Sequence, residues 1–321
     1  MTKQCRLIVL AMLWIMAVSV PSYGWFGAGH MTVAYVAYQQ LTPQTKDRVD
    51  ALLRLNPEYD TWVAMIPTSA SDADKRMMVF MIAATWPDRI KKNGAYKDDG
   101  TAGGNIPDGA TSRRNIGYSD LLKHKYWHFV DMPFTQDGTK LTKQQSKIPS
   151  PNALTQIIKF RGVLASNRPD PLKSYDLVWL LHLVGDVHQP LHCTARFGKT
   201  QKNGDAGGNF VKLSSEGALR ELHAFWDSRP GDSDSPLAAI NVGKSLPPAD
   251  ATLAGIGDAS VWIDESFRLA RENVYVNPPI GLGAGPFALT DDYRKAALQI
   301  ANELVALGGA RLANILNKEL K

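Results

Sequence analysis

The sequence predicts an all-α protein: one mainly helical domain with a short β-hairpin, no internal repeat and no domain boundary. Three observations lead there. Thr42-Pro43 and the Ser71/Asp74 pair are helix-start signals. Tyr293, Ala297, Ile300, Leu304 and Leu307 recur at helical spacing and mark a core stripe. Two His/Asp pairs, His182/Asp186 and His223/Asp227, stand four residues apart, which on a helix is one turn and one face.

Residues 1–24 read as a signal peptide. Lys3 and Arg6 give a positive start, Leu7 to Val20 is an uncharged apolar run, and Ser22-Tyr23-Gly24 supplies the small residues of a cleavage site. That run is short for a spanning helix, which needs about 20 apolar residues. Processing would leave a domain of residues 25–321 and lower the formal net charge from +5 to +3. So mild a basic balance does not suit a protein that coats duplex nucleic acid. Cys5 leaves with the signal and Cys193 remains alone, read as a packed thiol. No Asn-X-Ser/Thr sequon occurs. Export without disulfides or glycans fits a bacterial periplasm better than a eukaryotic secretory route. The expected mature protein is a periplasmic or secreted monomer with no membrane association.

From Trp25 to His30 the chain runs into a helix extending to Gln40. Thr42 caps the next helix, which turns Val49, Leu52 and Leu53 inward. Ser71 caps a helix through the apolar run Met77 to Ala84, delivering Thr85-Trp86-Pro87-Asp88. Residues 93–117, rich in Gly, Asn, Asp and Pro, read as a long loop. Lys91, Lys92, Lys97, Arg113 and Arg114 in and before it are either a solvated surface or a phosphate-facing lip. Trp127 to Asp131 and a polar loop follow. Helices are then expected from Asn152 to Ala165 and from Tyr175 to Gln189, with Pro190 breaking the second and swinging His192 out of register. Residues 194–215, including Gly207-Gly208-Asn209 and Phe210 to Leu213, read as a loop with the hairpin. The His223/Asp227 helix comes next, then helices at 260–274 and 291–317 separated by a Pro/Gly-rich stretch from Asn277 to Pro286.

All seven histidines lie in the expected mature chain, several beside Asp, Trp or Gly. Imidazoles and carboxylates without a thiolate set suit zinc, and there are too many for one tetrahedral ion, so a cluster is inferred. The set Trp25…His30, Trp86-Pro87-Asp88, His128-Phe129-Val130-Asp131, His182-X3-Asp186-X5-His192 and His223-X3-Asp227 closely resembles the zinc-dependent single-strand nucleases. This is the fungal and plant type I nuclease/3′-nucleotidase family, which has bacterial members. The resemblance runs from Trp25 to the last helix.

The resemblance implies three Zn2+ per chain. Asp88, His128, His182 and Asp186 would hold one ion of a close pair. The amino group and carbonyl of Trp25, with His30 and a bridging Asp186, would hold its partner. His192, His223 and Asp227 would hold the third. It further implies an endonuclease that hydrolyses single-stranded DNA and RNA to 5′-phosphate products through a zinc-activated hydroxide, and that dephosphorylates 3′-mononucleotides. Asp88 would orient the nucleophile, and Lys91, where relatives carry arginine, would steady the phosphoryl charge. Phe129 would stack on a base whose edge Asp131 accepts from. His188 is read as structural or as supporting a ligand, and Trp86, Trp127, Trp179 and Trp226 as packing around the site. The link from Asp88 to His128 is longer than is usual in the family, and Glu221 replaces an Asn that many relatives carry. Two rivals share some ligands: a zinc-dependent phospholipase C and a zinc-binding protein without catalysis. The short Trp25–His30 spacing and Asp227, where those lipases have Glu, favour the nuclease.

Overall fold

A computed structural model describes residues 25–99, 121–214, 216–229 and 231–320. The signal-peptide reading of residues 1–24, and Arg113 and Arg114 of the expected lip, lie outside the described residues.

Side-chain caps set the starts of several helices. The first, α1 (Gly27–Gln40), is followed by α2 (Pro43–Arg54), whose Thr42 cap accepts from the Thr45 N–H and whose Val49, Leu52 and Leu53 are buried. A short α3 (Tyr59–Ala64) precedes α4 (Asp72–Ala83), capped by Ser71 through the Asp74 N–H, and α5 (Trp86–Lys92). A 3₁₀ turn (Lys125–His128) and strand β1 (Pro133–Thr135) lead to α6 (Ala153–Leu164), which opens with a reciprocal Asn152/Thr155 capping box. The central helix α7 (Asp170–Asp186) follows, then a 3₁₀ turn (Pro190–Cys193) and β2 (Ala195–Phe197). The chain closes with α8 (Leu222–Asp227), α9 (Pro236–Ser245), α10 (Ala251–Ala254), α11 (Ala259–Leu269) continuing as a π turn, and the 29-residue α12 (Asp291–Glu319).

Helix α7 organises the packing. Every residue from Lys173 to Asp186 is buried, and α1, α2, α5, α6 and α12 all pack against it. A helix buried all round needs no amphipathic stripe, and α7 has none. It presents His182 and Asp186 to the interior rather than to water. Its neighbour α1 approaches so closely that a Cβ on Gly185 would lie 2.6 Å from His30 Nδ1. Gly185 is thus the gap through which His30 reaches the same space as Asp186.

Two expectations are corrected. The helix expected to continue to Gln189 ends at Asp186. Tight turns (His188 N–H to Gly185 O, 3.1 Å; Gln189 N–H to Asp186 O, 2.9 Å) then reverse the chain before Pro190. Proline disfavours helical backbone in the residue before it, and Gln189 is extended. The expected hairpin is reduced to one antiparallel bridge, Lys212 with Glu221, flanked by bonds between Leu213 N–H and Arg220 O and between Leu222 N–H and Val211 O. The sheet is instead a parallel pair, β1 with β2, in which Phe134 faces Arg196. Among the described residues no helix is long and apolar enough to cross a membrane.

Candidate metal centre

Six segments converge on one buried volume. Helix α1 brings His30, α5 brings Asp88, the first 3₁₀ turn brings His128, α7 brings His182 and Asp186, the second brings His192, and α8 brings His223 and Asp227. All eight side chains are buried. They sort into overlapping sets able to hold a cation: His30 with Asp88 and His182; His128 with His182 and Asp186; His192 with His223 and Asp227.

In the first two sets, His182 Nε2 lies 3.1 Å from Asp186 Oδ2 and 3.6 Å from Asp88 Oδ1. His128 Nδ1 is 3.0 Å from Asp186 Oδ2 and 2.9 Å from His182 Nε2. His30 stacks on His182 with ring centroids 3.8 Å apart, its Nε2 3.4 Å from Asp186 Oδ1. Neither ring nitrogen of His30 makes a hydrogen bond among the described residues, and neither does Asp186 Oδ1. In the third set, His223 Nε2 is 3.4 Å from Asp227 Oδ2 and 3.1 Å from His192 Nε2.

The ring tautomers test whether a cation fits. His192 Nδ1–H donates to His128 O (2.6 Å), His223 Nδ1–H to Gly207 O (2.6 Å) and His182 Nδ1–H to Ala84 O (2.8 Å). Each carbonyl accepts only, so each neutral ring must turn its Nε2 lone pair inward. Two such lone pairs then meet at 3.1 Å between His192 and His223, which is repulsive unless positive charge lies between them. Backbone carbonyls on the outer nitrogens are the usual support of metal-binding histidines. Gly207 is part of this device: it adopts a φ of +59°, and a Cβ there would sit 2.3 Å from Leu191 O.

Charge in the site is unevenly balanced. Burial alone would raise the Asp88 carboxyl, but Lys91, His182, His128 and His30 outweigh it and hold it below the ordinary range. Lys91 Nζ sits 2.7 Å from Asp88 Oδ1, so the lysine expected on the lip turns inward, while Lys92 stays exposed. Burial also drives His30 down to about 4 and His128 to about 3, keeping both neutral and ligand-competent at pH 7. Asp227, by contrast, is pushed well above its ordinary value by burial, with Gln189 its chief relief.

Trp25 is fully buried, and Phe26 N–H donates to Asp227 O (2.8 Å), which fastens the Trp25-Phe26 segment to α8. Phe129 and Asp131 line a shallow cleft of ≈ 10 Å³ with Leu191, Ala206, Gly207, Asn209 and His223. Burial and the nearby Asp205 raise Asp131 to about 7. A separate groove of ≈ 520 Å³ is lined by Asp88, Arg89, Lys92, Asp232 and Asp234. His124 is held apart from the cluster, ring-stacked on Trp127 at 3.6 Å and 2.6 Å from Asp99.

A family model described as S1/P1 nuclease matches residues 25–321. The chain belongs to the S1/P1 nuclease family. It is therefore a nuclease, a hydrolase of phosphodiester bonds, and the phospholipase and non-catalytic alternatives are set aside. The chain is 22% identical to Nuclease S1 of Aspergillus oryzae over 93% of its own length and 92% of the relative's. It is 27% identical to Endonuclease 4 of Arabidopsis thaliana over 63% of this chain and 74% of that one, and 27% identical to Endonuclease 5 of the same plant over 73% and 75%.

Within this S1/P1 member, one supporting residue escaped the sequence reading. Gln189 Nε2 donates to Asp227 Oδ1 at 2.6 Å while its Oε1 accepts from Leu191 N–H, so its amide fixes the carboxylate of the third set. Its place in His-Gln-Pro-Leu-His, between two histidines, was the available signal. His188, beside it, takes a structural role: Nδ1–H donates to Val184 O, and Nε2 accepts from Arg311, which also pairs with Glu265.

Proposed function

We propose that this nuclease is an exported, zinc-dependent endonuclease that cleaves single-stranded DNA and RNA to 5′-phosphate products and releases phosphate from 3′-mononucleotides. The observation that carries the metal half of this reading is the inward convergence of imidazole lone pairs and carboxylates, beside which Lys91 is fixed on Asp88.

Asp88, His128, His182 and Asp186 would hold one zinc. The Trp25 amino and carbonyl groups, His30 and the second oxygen of Asp186 would hold its neighbour, and His192, His223 and Asp227 a third. Bound zinc supplies Lewis acidity, bringing the pKa of water towards neutrality and drawing charge from phosphate oxygens. The chain's own groups do the rest. Asp88, kept ionised against burial chiefly by Lys91 and His182, orients the attacking water. Lys91, fixed by Asp88, adds positive charge beside the phosphoryl oxygens. Phe129 stacks on the base 5′ to the broken bond, and the Asp131 carboxylate accepts from its edge. A base can lie on the Phe129 ring only when unstacked, which favours single strands.

A ligating α-amine at Trp25 exists only after residues 1–24 are removed. Protein processed to Trp25 should degrade single-stranded DNA and RNA and dephosphorylate 3′-AMP, all abolished by a chelator, with duplex DNA much slower. Equal rates on duplex and single strand, or indifference to the chelator, would contradict the reading. Full activity with residues 1–24 still attached would remove the role given to the Trp25 amine.

A further inference from the structure

The cleft at Phe129 and Asp131 encloses only ≈ 10 Å³, about the minimum that admits one water. Beyond Asp131 the surface opens again. A groove of ≈ 350 Å³ shares Asp131 and Ala206 with that cleft and is walled by Thr142, Gln145, Lys147, Lys202 and Phe210. The walls are built. Gln145 Nε2–H donates to Lys202 O (2.7 Å), and Gln145 and Thr142 exchange two bonds (2.8 and 3.2 Å), tying the 142–149 loop to the 198–206 loop.

Phe210 stands at the edge of this groove with 54% of its surface exposed, although the next residue, Val211, is fully buried. One exposed apolar residue needs no explanation. An aromatic face that shares its groove with two exposed lysines and adjoins the Phe129/Asp131 cleft is a different matter. Flat rings for stacking beside cations for phosphate are the two components with which proteins hold single strands without reading sequence.

We propose that the Phe210 groove is a second nucleotide subsite, which takes the nucleotide on the 5′ side of the one stacked on Phe129. Its base lies on the Phe210 ring and its phosphate between Lys147 and Lys202. The direction follows from the order of the parts: metal ligands, Phe129/Asp131 cleft, then groove, so chain extending away from the reacting 3′-phosphate enters it. The inference rests on the nuclease reading above. Its consequence is a preference for chains over mononucleotides, set by a residue remote from the metal ligands.

The test uses processed protein and 3′-phosphorylated oligothymidylates of one, two and three nucleotides, with phosphorothioate internal linkages so that terminal phosphate release is read. Wild-type kcat/KM should rise at least fivefold from one nucleotide to two. Phe210→Ala should remove that gain, leaving thymidine 3′-monophosphate unchanged. Lys147→Ala with Lys202→Ala should flatten the salt dependence for the dinucleotide by about 0.7 in log–log slope for each phosphate that is no longer neutralised. These side chains are exposed, so folding is not at stake. No gain with length, or a Phe210→Ala effect equal on one and two nucleotides, would overturn the subsite alone. Wild-type protein inert on every substrate would overturn the nuclease reading and the subsite together.

Discussion

The cage around Asp186 and the cluster around Asp227 are made of the same two residue types, yet the protein treats their carboxyls oppositely. Burial would raise both. At Asp186 it is outweighed by His182, His192 and His128, and the carboxyl is held well below the ordinary range. At Asp227 burial wins, reinforced by Asp88 and Asp186, and the Gln189 amide only moderates it. The cage comes with Lys91, 2.7 Å from Asp88 Oδ1; at the Asp227 cluster the carboxylate meets the Gln189 amide and two histidines whose outer nitrogens are committed to backbone carbonyls. The first carboxyl is kept ionised by the protein's own groups, whereas the second favours its proton until a cation displaces it.

The largest expected effect comes from breaking the shared element. Asp186→Asn removes a carboxylate within 3.4 Å of His30, His128 and His182, and should lower kcat by more than ~10³-fold. That estimate lies beyond the 10–100-fold typical of residues that merely support a ligand. Zinc analysis should show the cage depleted while the Asp227 cluster keeps its ion. Next, Gln189→Leu removes the donor to Asp227 and should weaken metal binding at that cluster by about 10–100-fold, leaving the cage intact. Retention of full zinc after extended dialysis would contradict this.

Acid should separate the two regions without mutation. Without its ion, Asp227 holds a proton to higher pH than Asp186 does, so metal binding there must displace that proton. Zinc should leave the Asp227 cluster first as pH falls, measured as bound zinc per chain against pH.

The smallest effect sharpens the comparison through a carboxyl outside both regions. Asp176 on α7 is fully buried, neither oxygen has a hydrogen-bond partner among the described residues, and burial alone raises it to about 8. The folded chain therefore keeps this proton up to about pH 8, whereas an unfolded Asp loses it near ~4. Between those values the unfolded state binds fewer protons, so this group's contribution to stability falls as pH rises. Asp176→Asn should raise the Tm at pH 7–8, by roughly 2–4 °C per kcal/mol recovered, and have little effect below pH 4. An unchanged pH profile of the Tm would contradict it.

Residues that carry chemistry in short motifs were legible in the sequence. His182 and Asp186 share a face because a four-residue spacing on a helix leaves no alternative, and the Thr42 and Ser71 caps announce α2 and α4. Features set by distant parts of the chain were not legible. The three-residue strands β1 and β2 pair in parallel from some sixty residues apart, too short and too distant for a local pattern to reveal, and a hairpin was expected within residues 194–215. Helix α9 begins at a proline and lacks a strong apolar stripe, and it passed unremarked. Gln189 reads as a spacer until the chain reverses after Asp186 and brings its amide to Asp227, and the inward turn of Lys91 likewise depends on Asp88 being buried beside it.

The most direct test of the account is anomalous scattering at the zinc absorption edge from crystals of protein processed to Trp25. Three peaks per chain are expected, two close together among His30, Asp88, His128, His182 and Asp186, and one at His192, His223 and Asp227. A single peak, or none at the Asp227 cluster with the protein fully active, would contradict it.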